Sequence, residues 1–322
     1  MAASDRPAPS ANAALVDRVR SRLGLDPRPE KIVYPRLSPR NWLRIVGWRH
    51  LLALIGVLFA MFPVAWMFSA SINPIDTLSG GQIIPDGATF ENYRSVFESP
   101  QESPFMTWLW NSWYIAFIVA SVSVALTAMA AYAFSRFRFR GRRIGLLALL
   151  AVQIFPQFLA FVAIFLLLDQ ISDVVPAIGL DTHFGLMLVY LGGAIGFNTF
   201  LIKGFMDSVP DSLDESARVD GASPWTIFWR IILPLTRPAL VVIFIITFVF
   251  VFNEFILSRT LLTSVDQQTY VVGLQTYSTA DFASKWGQLA AGAMIGALPI
   301  VLTFLILQKG IVSGLTQGAV KG

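Results

Sequence analysis

Six stretches of this chain contain no Asp, Glu, Lys or Arg and are almost wholly apolar: residues 51–75, 103–135, 144–168, 184–202, 238–253 and 286–308. Five reach or pass the roughly 17 to 25 residues that a helix needs to cross the hydrocarbon core of a bilayer. The fifth stretch is short only because Glu254 interrupts it, and Phe255 to Ser258 extend it to a plausible span. Composition agrees: 55% of residues are hydrophobic and 14% charged, with a mean hydropathy of +0.63, too few charges for the water-facing surface of a soluble protein this long. The fold class expected is an all-α, polytopic membrane protein with six transmembrane helices.

Lysine and arginine orient those helices, because positive charge is retained on the cytoplasmic side. Ten precede Leu51; five follow the second span (Arg136, Arg138, Arg140, Arg142, Arg143); four lie between the fourth and fifth (Lys203, Arg218, Arg230, Arg237); and Lys309 and Lys321 are in the tail. Only Arg94, Arg259 and Lys285 remain for the opposite side. The expected organisation is a cytoplasmic, partly disordered N-terminal extension over 1–49, a six-span domain over 50–308 with a cytoplasmic loop at 204–238, and a cytoplasmic tail over 309–322. The net charge of +4 follows from this topology and implies no nucleic-acid partner. The first apolar run is longer than the core of a signal peptide and follows about fifty hydrophilic residues, so it is expected to be a retained span. Within the extension, Leu15, Val16, Val19 and Leu23 share a helical face beside Arg18, Arg20 and Arg22; such a stretch can rest on an anionic leaflet or on the protein itself.

Catalytic constellations are missing. There is no cysteine, and the two histidines, His50 and His183, fall near opposite membrane faces, so they cannot share a metal or acid–base site. No G-x-S-x-G elbow occurs. Leu78-Ser79-Gly80-Gly81-Gln82 spells an ATPase signature, but it lies in the first external segment and no phosphate-binding G-x4-GK[ST] loop accompanies it, so it is read as a turn-rich loop. The chain is expected to be non-catalytic, with no metal site. Within the spans, Gln153, Asn198, Asn253 and Glu254 need polar partners and are the candidate translocation-pathway residues. Glu254 reads equally as a gate residue or as a carboxylate that snorkels or pairs with Arg259. Pro63, Pro156 and Pro299 are positions where helices can kink, and Gly192, Gly193 and Gly196 allow close helix approach.

The most specific signal is the polar segment 215–238, ESARVDGASPWTIFWRIILPLTRP. Ser212 and Glu215 fit a capping box, Asp220-Gly221 a helix-ending turn, and Ser223-Pro224 an N-cap followed by proline at the first helical position. Two short helices at an angle are expected. Pro234 and Pro238 cannot continue a helix without losing backbone hydrogen bonds, so they should bend the chain into the next span. Its residues Glu215-x-Ala217-x3-Gly221-x9-Ile231-x-Leu233-Pro234 resemble the EAA loop of bacterial ABC importer permeases, with Ser216 in place of the first alanine. AYAFSRFRFRG at 131–141, IGLDTHFG at 178–185, YLGG at 190–193 and GLTQGAVKG at 314–322 narrow the resemblance to the MalG-like permease subunits of maltose and maltodextrin importers.

That resemblance implies a type I ABC importer permease fold in the bacterial inner membrane, paired with a MalF-like second permease, a MalK-like ATPase dimer and an extracytoplasmic sugar-binding protein. No cofactor would sit on this chain, since ATP and Mg belong to the ATPase. Glu215, Ala217, Asp220, Gly221, Ala222, Ile231, Leu233 and Pro234 would couple to the ATPase. The external stretch from Arg259 to Lys285 is longer than a minimal connection; in the resembling family it contacts the binding protein, which would make Tyr277, Ser278, Thr279 and Asp281 its tip. The tail would dock along the ATPase interface. The implied solute is a disaccharide or oligosaccharide of the maltose, maltodextrin or trehalose type. A non-sugar solute, an ion-coupled secondary transporter and an intramembrane enzyme are the alternatives.

Overall fold

A computed structural model describes residues 38–74, 85–98, 103–154, 156–279 and 285–318, and among these every regular element is helical. Most of the N-terminal extension, the segment holding residues 78–82, and Asp281 lie outside the described residues, as do residues 319–322 of the tail. Residues up to Met61 form one unit and those from Phe62 a second. The described part of the first is the leading portion of α1 (Arg40–Ser71), whose apolar side chains, among them Leu51, Leu54, Leu58 and Phe59, are exposed.

The second unit continues with α2 (Glu91–Glu98), α3 (Phe105–Arg136), α4 (Arg142–Ile154), α5 (Phe161–Val174), α6 (His183–Asp207), α7 (Asp211–Val219), α8 (Pro224–Phe252), α9 (Ile256–Leu261), α10 (Tyr270–Thr279) and α11 (Trp286–Gly318). α3 is its centre, packed against α6, α8, α10 and α11. Its inner stripe is rich in small residues, Ala116, Ala120, Ala128 and Ala131, all buried, which lets neighbouring backbones approach closely where lipid offers no hydrophobic drive. Asn198 adds polar cross-links at depth, its Nδ2 donating to Thr247 Oγ1 at 3.2 Å and to Ser123 Oγ at 3.4 Å.

Among the described residues five helices, α1, α3, α6, α8 and α11, are long and apolar enough to cross a membrane. The third expected span is the exception, because it is broken into α4 and α5 around Pro156 and a 3-10 turn at Gln157–Ala160. A proline lacks the N–H that would continue the ladder, and its ring crowds the preceding turn. At one end Arg142 Nη2 donates to the carbonyl of Ser135 near the close of α3; at the other Leu180 N donates to Ser172 Oγ just before α6, whose first residue, His183, meets Tyr114 in the first third of α3.

The helical run continues through both Pro234 and Pro238, from Pro224 to Phe252. A π-turn over Phe228–Ile232 precedes them, in which Leu233 N reaches back five residues to the carbonyl of Phe228. The wider turn gives Pro234 room within the helix. Of the three glycines expected to allow close approach, Gly196 does so, facing Gln153 and the Leu149 carbonyl; Gly192 and Gly193 have open space where a side chain would be.

Candidate functional site

The face rich in arginine carries a compact hairpin made of α7 and the start of α8. α7 begins after Pro210 with no side-chain cap, so the Ser212–Glu215 capping box is not formed. Asp211 and Asp214 occupy its first turn, where the helix dipole favours anions, and the compensating cation comes from elsewhere in the chain. Arg136, the last residue of α3, places Nη1 2.8 Å from Asp211 and Nε 2.8 Å from Asp214, while Nη2 donates to the Val209 carbonyl at 2.8 Å. Arg136 and Asp214 are both almost fully buried at the side chain, 5% and 3% exposed, whereas Asp211 is 78% exposed.

α7 ends as its sequence predicts. Gly221 adopts φ +82°, a conformation costly for residues with a Cβ, and the two bonds that close the turn are both present: Ala222 N to the Ala217 carbonyl at 2.9 Å and Gly221 N to the Arg218 carbonyl at 3.0 Å. Ser223 then caps α8, accepting from Thr226 N at 3.2 Å. These turns put Glu215, Asp220 and Gly221 on the exposed side, with Ala217 buried beneath them and Ala222 half-buried. Leu213, Val219, Trp225 and Trp229 are also exposed there, and Val219 is 87% accessible. Four large apolar groups on an otherwise polar hairpin make a surface suited to being covered. Further along α8, Ile231 and Leu233 are half-buried and Pro234 exposed; Leu233 and Pro234 line an open groove of about 480 Å³ between α3 and α8.

On the opposite face, the stretch expected to be a long contact loop is mostly structured. α9 and α10 occupy it, joined by a strap over 262–269. Asp181, at φ +58°, accepts from Thr263 N at 2.8 Å, from Ser264 N at 2.9 Å and from the Ser264 hydroxyl. Burial works to raise the pKa of Asp181, but the bonds from Ser264 and Thr263 outweigh it and hold the carboxyl below the usual range. His183 links Tyr114 to the Gln267 carbonyl, which is a structural role. From α3, Trp108 Nε1 donates to the Val265 carbonyl at 2.6 Å, and Asn111 Nδ2 to the carbonyls of Asp266 and Gln268 at 2.8 and 2.9 Å. None of this pinning was foreseen in the sequence, because the partners lie 69 to 157 positions apart.

Tyr277 therefore does not sit at a projecting tip. It is 5% exposed within α10, which packs on α3 and α11, and burial pushes the pKa of its hydroxyl up. The Ser278 hydroxyl turns back to the Gln275 carbonyl, and Thr279 is the last residue of the helix.

The four polar pathway candidates do not converge. Gln153 donates to the Gly193 carbonyl at 2.9 Å between α4 and α6, and Asn198 is buried among α3, α6 and α8. Asn253 is exposed and bonds to the Val249 carbonyl. Glu254 pairs with Tyr190, whose hydroxyl donates at 2.6 Å, rather than with Arg259. Its carboxylate also accepts from Leu257 N at 2.9 Å and Ser258 N at 3.1 Å, capping α9. Among the described residues no group of His, Cys, Asp or Glu could hold a metal ion.

Comparison with known proteins agrees with this architecture. Residues 123–316 match the family described as binding-protein-dependent transport system inner membrane component. The chain is 38% identical over 286 residues to the galactooligosaccharides transport system permease protein GanQ of Bacillus subtilis, covering 89% of this chain and 99% of that protein. It is 39% identical over 304 residues to the maltose/maltodextrin transport system permease protein MalG of Yersinia pestis, covering 91% and 99%. A solved bacterial ABC transporter involved in the import of the acidic polysaccharide alginate superposes with a TM-score of 0.65 at 24% identity, covering 86% of this chain and 99% of that one. A helical bundle centred on α3, an EAA-type hairpin on its basic face and relatives of this identity and coverage lead to one assignment: the chain belongs to the family of binding-protein-dependent transport system inner membrane components, as a MalG-like sugar permease subunit of an ABC importer.

Proposed function

We propose that this chain is one of two membrane subunits of an ATP-driven importer for a disaccharide or short oligosaccharide, and that the α7–α8 hairpin docks on a separate ATPase. The observation that carries the proposal is the hairpin's surface: Glu215, Asp220 and Gly221 stand outward on a turn closed by two backbone bonds, ringed by exposed Leu213, Val219 and Trp225. ATP and Mg would be held by that ATPase. Closure of the ATPase pair on ATP would move the docked hairpin and shift the helices between inward- and outward-facing arrangements, a two-state equilibrium biased by ATP and by a loaded sugar-binding protein. The basic face would be cytoplasmic, with both termini on that side, as the distribution of Lys and Arg favours.

The named relatives handle maltose, maltodextrins, galactooligosaccharides and alginate, all glycosidically linked sugars, which supports the sugar class, and the same kinship supports a second permease and an external binding protein. An ion-coupled mechanism has less support, because Glu254 is engaged by Tyr190 and by the α9 backbone. The test is to co-express the chain with its permease, ATPase and binding-protein partners in proteoliposomes and measure ATP-dependent uptake. Glu215→Lys should insert normally yet lose ATPase retention and uptake. Wild-type uptake by this variant would overturn the docking assignment. Deleting 314–322 should loosen ATPase attachment or slow turnover while leaving the spans intact, and full ATPase stoichiometry with normal transport would remove the tail from the mechanism.

A further inference from the structure

α3 is fastened at both ends to segments that face out of the bilayer. At the basic face its last two turns hold three neighbours: Arg136 binds Asp211, Asp214 and the Val209 carbonyl; Ser135 Oγ donates to Asp207 at 2.7 Å; and Tyr132 donates to the Pro224 carbonyl at 3.1 Å. At the other face Trp108 and Asn111 hold the strap, and Ser112 Oγ accepts from Tyr270 N at 2.8 Å. The helix that carries these anchors is 32 residues long, about 48 Å at 1.5 Å per residue.

It is also the most regular span. The other four long helices each contain glycine, an internal proline or a π-turn, whereas Phe105–Arg136 contains none of these. Helices bend at such features, so α3 is the span least able to absorb a displacement within itself.

We propose that α3 is a stiff rod that carries movement of the coupling hairpin across the membrane to the 262–270 strap, with Arg136 the positioning residue at one joint and Asn111 at the other. The proposal rests on the hairpin being the ATPase-docking element. Arg136 suits the joint because its planar fork reaches two carboxylates and a carbonyl together, which a lysine ammonium does less well. It is the only cation paired with Asp214 among the described residues, and Asp214 adjoins the outward-facing Glu215. Force applied at Glu215 thus meets α3 one residue away.

The experiment uses the complete importer reconstituted with its ATPase and binding protein. Arg136→Lys and Asn111→Ala should each leave the ATPase bound but reduce stimulation of hydrolysis by loaded binding protein on the order of tenfold, within the range typical of site-to-site coupling. The double variant should be no worse than the more affected single one, since both interrupt one transmission line. Because the chain has no cysteine, spin labels at Val219→Cys and Val265→Cys report the hairpin-to-strap distance directly. That distance should be the same with and without ATP in the wild type and should change with ATP in Arg136→Lys.

Normal stimulation in both single variants, losses that multiply in the double variant, or a wild-type distance that changes with ATP would each overturn the rod. If Arg136→Lys fails to assemble, Asp211→Asn, which alters a 78% exposed carboxylate, should give a smaller loss of the same kind, and no loss would count against the proposal. Glu215→Lys separates the two readings: ATPase retention by that variant removes the docking and the rod with it, whereas loss of retention there with normal stimulation in Arg136→Lys removes the rod alone.

Discussion

The indole of Trp108 occupies the space that a side chain on Gly273 would need: a Cβ built on that glycine would meet ring carbon Cε3 at 2.1 Å. Trp108 is fully buried, so α10 lies directly against α3 at this point and the ring cannot turn toward solvent. Gly273→Ala should therefore destabilise the packing of α10 on α3 by about 1–3 kcal/mol, the usual cost of overpacking a tight core. Thermal unfolding in detergent measures it. Gly192→Ala is the control, because open space surrounds that position and removing a helical glycine should there be neutral or favourable by about 0.5–1 kcal/mol.

Glu254 holds two elements at once, and the two functions can be separated. Tyr190→Phe removes one charge-assisted hydrogen bond, worth about 1.5–3 kcal/mol. Glu254→Ala removes that bond and also strips α9 of the acceptor for Leu257 N and Ser258 N, adding about 0.5–2 kcal/mol for a lost cap. The alanine variant should melt at the lower temperature, with earlier amide exchange at Leu257 and Ser258. Equal melting temperatures would mean that the cap contributes nothing.

Asp181 makes the strap sensitive to acid. Its folded pKa lies below the ordinary 3.8, so it stabilises the strap above that value, and the contribution is lost as pH falls through the lower folded pKa. Amide exchange at Thr263 and Ser264 should accelerate, relative to neighbouring amides, as pH drops below about 4. In Asp181→Asn that acid-specific loss should vanish, and both amides should already be less protected at neutral pH.

Gly221 tests the shape of the hairpin turn proposed to dock on the ATPase, apart from its charge. At φ +82° a β-branched residue is strained, so Gly221→Val should cost roughly 1–2 kcal/mol and displace Glu215 from Asp220. Asparagine enters this region readily, so Gly221→Asn should retain the ATPase where the valine variant sheds it. Pull-down stoichiometry of the two variants distinguishes a requirement for turn geometry from one for glycine itself.

Which features could be read from the sequence depended on the distance over which their causes act. The helix-ending turn at Gly221 and the cap at Ser223 rest on atoms within a few residues of each other, and both appear as expected. The capping box at Ser212 was misplaced because the charge that settles the α7 N-terminus is Arg136, 75 positions earlier. The strap over 262–269 looked like a loop for the same reason, its partners being Trp108, Asn111 and Asp181. α10 gave little helical signal because it is covered on more than one side, so Tyr270, Val272, Leu274 and Tyr277 are all buried and no polar face marks its period. The pathway candidates were chosen for polarity within apolar spans, and most of that polarity is used in bonds between helices.

The break between α4 and α5 bears on how the chain enters the bilayer during synthesis. Thirteen and 14 residues give pieces of about 20 Å each, too short to cross a hydrocarbon core about 30 Å thick. Neither piece can be held in lipid as a spanning segment without the other, so the insertion machinery has to accept 142–174 as one hydrophobic cargo although the folded backbone treats it as two. A charge at Leu147 or Val162, both exposed to the surroundings of the bundle, would then cost the whole crossing rather than half of it, and every later segment would emerge on the wrong side.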